Sequence, residues 1–173
     1  MEFLNSIKEL IPDYAKDIRL NIDGTIARSS LEGNDAVGVA LAAAFAAKSR
    51  KIIDIILASG ALSAEESHAV LTASALMGMN NVWYPYVEMA DDADLKGQPA
   101  QLRMNAYASN GGVDKRRFEM YALAASIIGK CHFCVKSHFE LLKQEGMSSQ
   151  QLRDIGRVAA VINAAALVIA ATS

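Results

Sequence analysis

Apolar positions along most of the chain recur every three or four residues, the period of a helix with one buried face. Residues 1–22 read as a helical arm, with Ser6 a candidate cap and Pro12 a break or a second start. The segment "IDGTIARSSLEGND" (22–35) holds two glycines and several capping residues, so it reads as a connector. Over 36–47 the run "AVGVALAAAFAA" is apolar almost all round, as in a helix buried on every side. Two long helices open on capping boxes, Ser63 with Glu66 in 60–84 and Ser148 with Gln151 in 145–169. A further helix starting near Asp114 breaks at Gly129-Lys130. An amphipathic one follows over about 131–145, with Gly146 as its stop. The acidic "MADDADLKG" (89–97) reads as a solvated loop. The longest apolar stretch, 158–171, has 14 residues and includes Asn163. A bilayer span needs about 20, so it reads as a buried helix and no membrane is expected.

Composition narrows the class. The chain has 173 residues, 52% of them hydrophobic and only three of them proline. That is enough to bury a core in a single domain, and an Ala-rich, Pro-poor chain favours packed helices over a sheet. The expected fold class is all-α. The net charge is −2, and the short basic runs "KSRK" (48–51) and "DKRR" (114–117) read as solvated helix ends. No nucleic-acid partner is expected. The opening "MEFLNSIKEL" lacks the basic start and apolar run of a secretory leader, which points to a cytoplasmic protein. In that compartment two nearby cysteines are catalytic or metal-binding more often than permanently bridged.

The helical pattern repeats. An offset of 85 residues superposes Leu62 on Met147, Ser63 on Ser148, Ala75 on Ala160 and Val82 on Leu167. The expectation is one domain of two degenerate helical units. An arm and a chemically silent unit would fill about 1–100, and an active unit about 101–173. At the same offset Cys131 falls on Ala46, Cys134 on Ser49, His138 on Ile53 and Glu119 on Asn34. The first unit therefore keeps the scaffold and lacks the reactive groups.

Those groups lie in and before "GKCHFCVKSH" (129–138). Cys131, Cys134 and His138 stand at i, i+3 and i+7, on one face of the helix. The cysteines occupy its first turn, where free N–H groups and the dipole favour a thiolate. A CxxC at a helix start lowers a thiol pKa and allows a reversible disulfide. Glu119 lies about 15 Å back along the preceding helix, and His138 about 10 Å along the next. If the two helices are antiparallel, a carboxylate, an imidazole and a thiol meet: Glu119, His138 and Cys134. Zinc binding by Cys131, Cys134, His138 and His132 is an alternative, as is a structural disulfide. Trp83, Tyr84 and Tyr86 read as core or subunit interface, and His68 as solvated. Lys136 and Lys143 lie on the polar side of the active helix.

The pattern E-x11-C-x-x-C-x-x-x-H, filled by Glu119, Cys131, Cys134 and His138, resembles the alkylhydroperoxidase D family of the carboxymuconolactone decarboxylase-like superfamily. The resemblance extends to "IKELIPDYAKDIRLN" (7–21), "ALMGMNNVWY" (75–84) and "LRMN" (102–105). It departs at one point. The family pattern has a histidine just before the second cysteine, where this chain has Phe133, with His132 one place earlier. One residue turns a helical side chain by about 100°, so the family histidine's role does not pass simply to His132. The resemblance implies an all-helical homo-oligomer, commonly a trimer or larger. It implies an antioxidant dithiol that reduces the oxidised peroxiredoxin of the alkyl hydroperoxide reductase system and, weakly, organic peroxides. It further implies no tightly bound cofactor, with re-reduction by dihydrolipoamide on a lipoylated dehydrogenase-complex subunit. In that scheme Cys134 attacks, and Cys131 donates a proton and resolves. The rival expectations are a general protein-disulfide reductase and a zinc-binding or redox-sensing interaction module.

Overall fold

A computed structural model describes residues 1–172, which form helices and turns with no strand among them. The α-helices are α1 (Phe3–Glu9), α2 (Lys16–Ile22), α3 (Gly33–Ala46), α4 (Arg50–Ala58), α5 (Ala64–Ala90), α6 (Ala93–Gly97), α7 (Lys115–Gly129), α8 (His132–Gln144) and α9 (Ser149–Ala171). The order α3–α4–α5 recurs as α7–α8–α9, with the long third helix of each set capped by Ser63 or Ser148. Both capping boxes are complete: the serine oxygen accepts the N–H of Glu66 or Gln151, whose side chain accepts the serine N–H. Each box satisfies two donors that the helix would otherwise leave free.

Helix α3 forms the centre. Residues Asp35 to Ala44 are all buried, and α5, α7 and α9 pack around them. A Cβ on Gly38 would come within 2.4 Å of the Tyr121 ring, so α3 and α7 approach this closely only with glycine there. The one charge on this stretch, Asp35, has the Arg117 Nε 2.8 Å away, and the same guanidinium reaches Glu66 at 2.8 Å. Burial pushes the Asp35 carboxyl up and Arg117 opposes it. "DKRR" is therefore not simply a solvated end: Arg117 ties α7 to α3 and α5.

Four other expectations change. Ser6 sits inside α1 rather than capping it, while Pro12 marks the expected break, just before a short 3-10 turn at Asp13–Ala15. Helix α5 continues through Pro85 to Ala90, beyond the expected 60–84; proline removes one helical donor without ending the helix. The acidic loop contains α6, whose Asp92 cap accepts the Leu95 N–H at 2.7 Å. The 14-residue apolar stretch belongs to a 23-residue helix, and α9 is long and apolar enough by composition to cross a membrane. Its apolar face from Leu152 to Ile169 instead packs in the core against α3 and α7.

Candidate redox site

The site is built on a sharp reversal between α7 and α8. Lys130 adopts the left-handed conformation, with φ of 54°. Its N–H donates to the Ile127 carbonyl, and that of Cys131 donates to the Ser126 carbonyl. These bonds close the end of α7 as a Schellman turn. Gly129 is required by space: a Cβ there would lie 2.2 Å from Asn81 Nδ2, which donates to the Ala125 carbonyl at 3.1 Å. Helix α5 thus touches the turn that launches α8.

Cys131 is the N-cap of α8, and its Sγ accepts the N–H of Cys134 at 3.2 Å. The two cysteines form a disulfide with Cα atoms 5.3 Å apart. Once reduced, a Cys131 thiolate would keep that N–H and the positive end of the helix. Cys131 is wholly buried, while Cys134 is 3% exposed and lines a cavity of about 240 Å³. Cys134 is therefore the sulfur that faces the cavity.

Antiparallel α7 and α8 bring Glu119 and His138 together, with Oε2 2.5 Å from Nδ1. Both are buried, and both line the cavity with Cys134. Three of the groups expected in line thus share one space. One detail differs. The hydrogen-bond partner of His138 Nε2 is the Sδ of Met77, at 3.2 Å, rather than the Cys134 sulfur. The remaining wall is mostly apolar or aromatic, Tyr84, Met104, Tyr107, Phe133 and Leu141, with Asn80 and Ser137 as its other polar side chains. Burial first, and then the Glu119 charge, push the Tyr107 phenol far above its usual range, so it stays a neutral donor.

His132 lies outside this group. It is exposed, with Nδ1 3.3 Å from Glu88 Oε1, and lines a larger outer groove of about 620 Å³. Phe133 stacks on Tyr84 with ring centroids 4.3 Å apart, and this pair forms the partition between groove and cavity. Among the described residues no three His, Cys, Asp or Glu side chains are grouped as metal ligands.

Residues 93–173, which include Glu119, Cys131, His132, Cys134 and His138, match the Carboxymuconolactone decarboxylase family. The chain is 42% identical over 168 residues to the alkyl hydroperoxide reductase AhpD of Rhodospirillum centenum, covering 96% of this chain and 90% of that one. It is 38% identical to the AhpD of Coxiella burnetii, covering 95% of this chain and 96% of the relative. For the AhpD of Hyphomonas neptunium the figures are 42%, 97% and 94%. The chain belongs to the AhpD family. Its all-α fold follows the expectation set by that resemblance.

In this AhpD-family chain, Met77, Asn80, Tyr84, Met104 and Tyr107 were missed as site residues. A signal existed, because "ALMGMNNVWY" and "LRMN" carry the resemblance and contain the first four of them. From the first half of the chain, α5 supplies Met77, Asn80 and Tyr84. Tyr84 and Trp83 are half-buried and Tyr86 is exposed, so none of them belongs to the core. His68 is exposed, as expected.

Proposed function

We propose that this protein is a thiol-dependent antioxidant oxidoreductase. Its Cys131–Cys134 dithiol reduces the disulfide of a partner peroxiredoxin of the alkyl hydroperoxide reductase system and, more slowly, organic hydroperoxides. Dihydrolipoamide on a lipoylated dehydrogenase-complex subunit restores the dithiol, and no cofactor is tightly bound. The observation that carries this reading is a paired cysteine at a helix start, Cys134, sharing one cavity with a buried Glu119–His138 pair. The names of the relatives point the same way.

With a hydroperoxide, the Cys134 thiolate attacks the terminal oxygen, the O–O bond breaks and the alcohol leaves. The Cys134 sulfenic acid then reacts with the Cys131 thiol, releasing water and forming the disulfide. With a peroxiredoxin, Cys134 attacks its disulfide, and Cys131 displaces the reduced partner. Glu119 orients His138, which handles the sulfur proton. His132, exposed on the outer groove, would act on an incoming partner rather than on the sulfurs.

Purified protein with dihydrolipoamide, lipoamide dehydrogenase, NADH and a hydroperoxide tests the reading, run with and without a peroxiredoxin. NADH loss that depends on this protein and rises with the peroxiredoxin is expected. Turnover with other dithiols but none with dihydrolipoamide would favour a general disulfide reductase. The protein is further proposed to be a homo-oligomer, with a trimer expected. Leu167 on α9 and Val82 on α5 are 65% and 69% exposed, apolar surface of a kind that subunits cover. A monomer in sedimentation at micromolar concentration would refute this.

A further inference from the structure

Met77 has no part in the scheme above, yet it is the partner of the histidine that does. It is wholly buried on α5, packed against Ala122 and Ala125 of α7, whose small side chains leave room for it. Its Sδ lies 3.2 Å from His138 Nε2. A thioether carries no proton and acts only as a weak acceptor. A hydrogen bond across that contact therefore has its hydrogen on Nε2. The 2.5 Å contact between Nδ1 and Glu119 Oε2 needs a proton of its own.

We propose that Met77 is the resting acceptor of the His138 Nε2 proton while the cysteines are oxidised, and so a positioning residue for their reduction. This rests on the thiol–disulfide reading given above. A donor thiolate attacks Cys134, forming a mixed disulfide and breaking the Cys131–Cys134 bond. Cys131 leaves as a thiolate held by the Cys134 N–H. The donor's second thiolate attacks its own sulfur in the mixed disulfide, and Cys134 leaves. That thiolate is a far stronger acceptor than a thioether, and it lies one helical turn before His138 on the same buried face. The Nε2 proton leaves its contact with the Met77 sulfur and passes from His138 to Cys134. The donor's two thiols have lost two protons: one goes to Cys131, and the other restores His138. Two electrons and two protons have passed from donor to enzyme.

The test separates the half-reactions and needs neither lipoyl carrier nor peroxiredoxin. Histidine ¹⁵N NMR of the oxidised wild-type protein near neutral pH should show His138 Nε2 protonated. Met77→Leu removes the acceptor and keeps the bulk. It should shift Nε2 toward the unprotonated form and slow reduction of the disulfide by dithiothreitol about two- to tenfold, the range of one modest hydrogen bond. Oxidation of the dithiol by hydrogen peroxide should stay within about twofold of wild type, since the acceptor is then Cys134. Met77→Gln, which returns an acceptor, should recover the reduction rate. An unprotonated Nε2 in the oxidised wild type overturns the proposal whether or not any variant folds. Equal slowing of both half-reactions, or a folded Gln variant as slow as the Leu variant, reduces Met77 to packing. A protein that passes these tests but ignores dihydrolipoamide would refute the donor reading and leave Met77 standing.

Discussion

Replacing the two members of the Glu119–His138 pair one at a time should give unequal results. Glu119 is 3% exposed and His138 5%, so each is poorly solvated when its partner is removed. His138→Gln leaves a carboxylate buried without its imidazole, and breaking a buried pair this way costs about 3–5 kcal/mol. In a chain of this size each kcal/mol lowers Tm by about 2–4 °C, so a fall on the order of 6–20 °C is expected. Glu119→Gln keeps an oxygen where Nδ1–H donates and loses only the charge. Its cost is about 1–3 kcal/mol. Both changes would remove the proposed relay, so each should lower turnover by about 10²–10⁴-fold. In the proposed relay both residues act on one proton, so the double variant should turn over about as slowly as the slower single variant. Urea unfolding at neutral pH gives the stabilities, and the NADH-coupled assay gives the rates. Multiplication of the two losses in the double variant would mean that the residues act separately. Equal stability losses would mean that the carboxylate is not held as a buried charge.

Three further predictions concern the sulfurs and the scaffold. Cys131→Ser should still form a sulfenic acid or trap a mixed disulfide with a partner, and Cys134→Ser should do neither, read by mass spectrometry of the adducts; a trapped adduct on Cys131 would reverse the roles. Burial raises the Asp154 carboxyl, but the N–H and hydroxyl of Ser30 and the Arg157 guanidinium outweigh it and hold it at about 2, against an ordinary 3.8. The stability this contributes, about 2 kcal/mol, is present above pH 4 and lost as pH falls toward 2; Asp154→Asn should lose it at neutral pH and flatten acid unfolding across that window. Lys130→Gly relieves a left-handed non-glycine residue and should stabilise the protein by about 1 kcal/mol in urea unfolding, whereas a loss would mean the lysine side chain holds the turn.

Much of the site's geometry was legible because it is local. Cys131, Cys134 and His138 share one helix, and helical periodicity alone puts them on one face. Glu119 required one more inference, the antiparallel return of α8 along α7, which the Gly129-Lys130 break announces. The reason for that glycine was not legible. It is the approach of Asn81, from a helix more than forty residues earlier in the chain. Arg117 misled for the same reason: a basic run at a helix start reads as solvated until a buried Asp35 is found opposite.

By itself the sequence determined the all-helical class, the capped starts of α5 and α9, the break before α8, and which residue types meet near the sulfurs. Each of these is written in spacings shorter than one helical hairpin, where hydrogen-bond geometry and side-chain periodicity leave few choices. Only the tertiary structure decided that Cys134 faces the cavity, that Phe133 stacks on Tyr84, that His132 stays outside, and that Met77 meets His138 across 61 residues of chain. Those facts depend on which sides of α5, α7 and α8 are turned toward one another. That choice is made by close packing of the whole core, with Gly38 and Gly129 permitting the closest approaches, and no local pattern contains it.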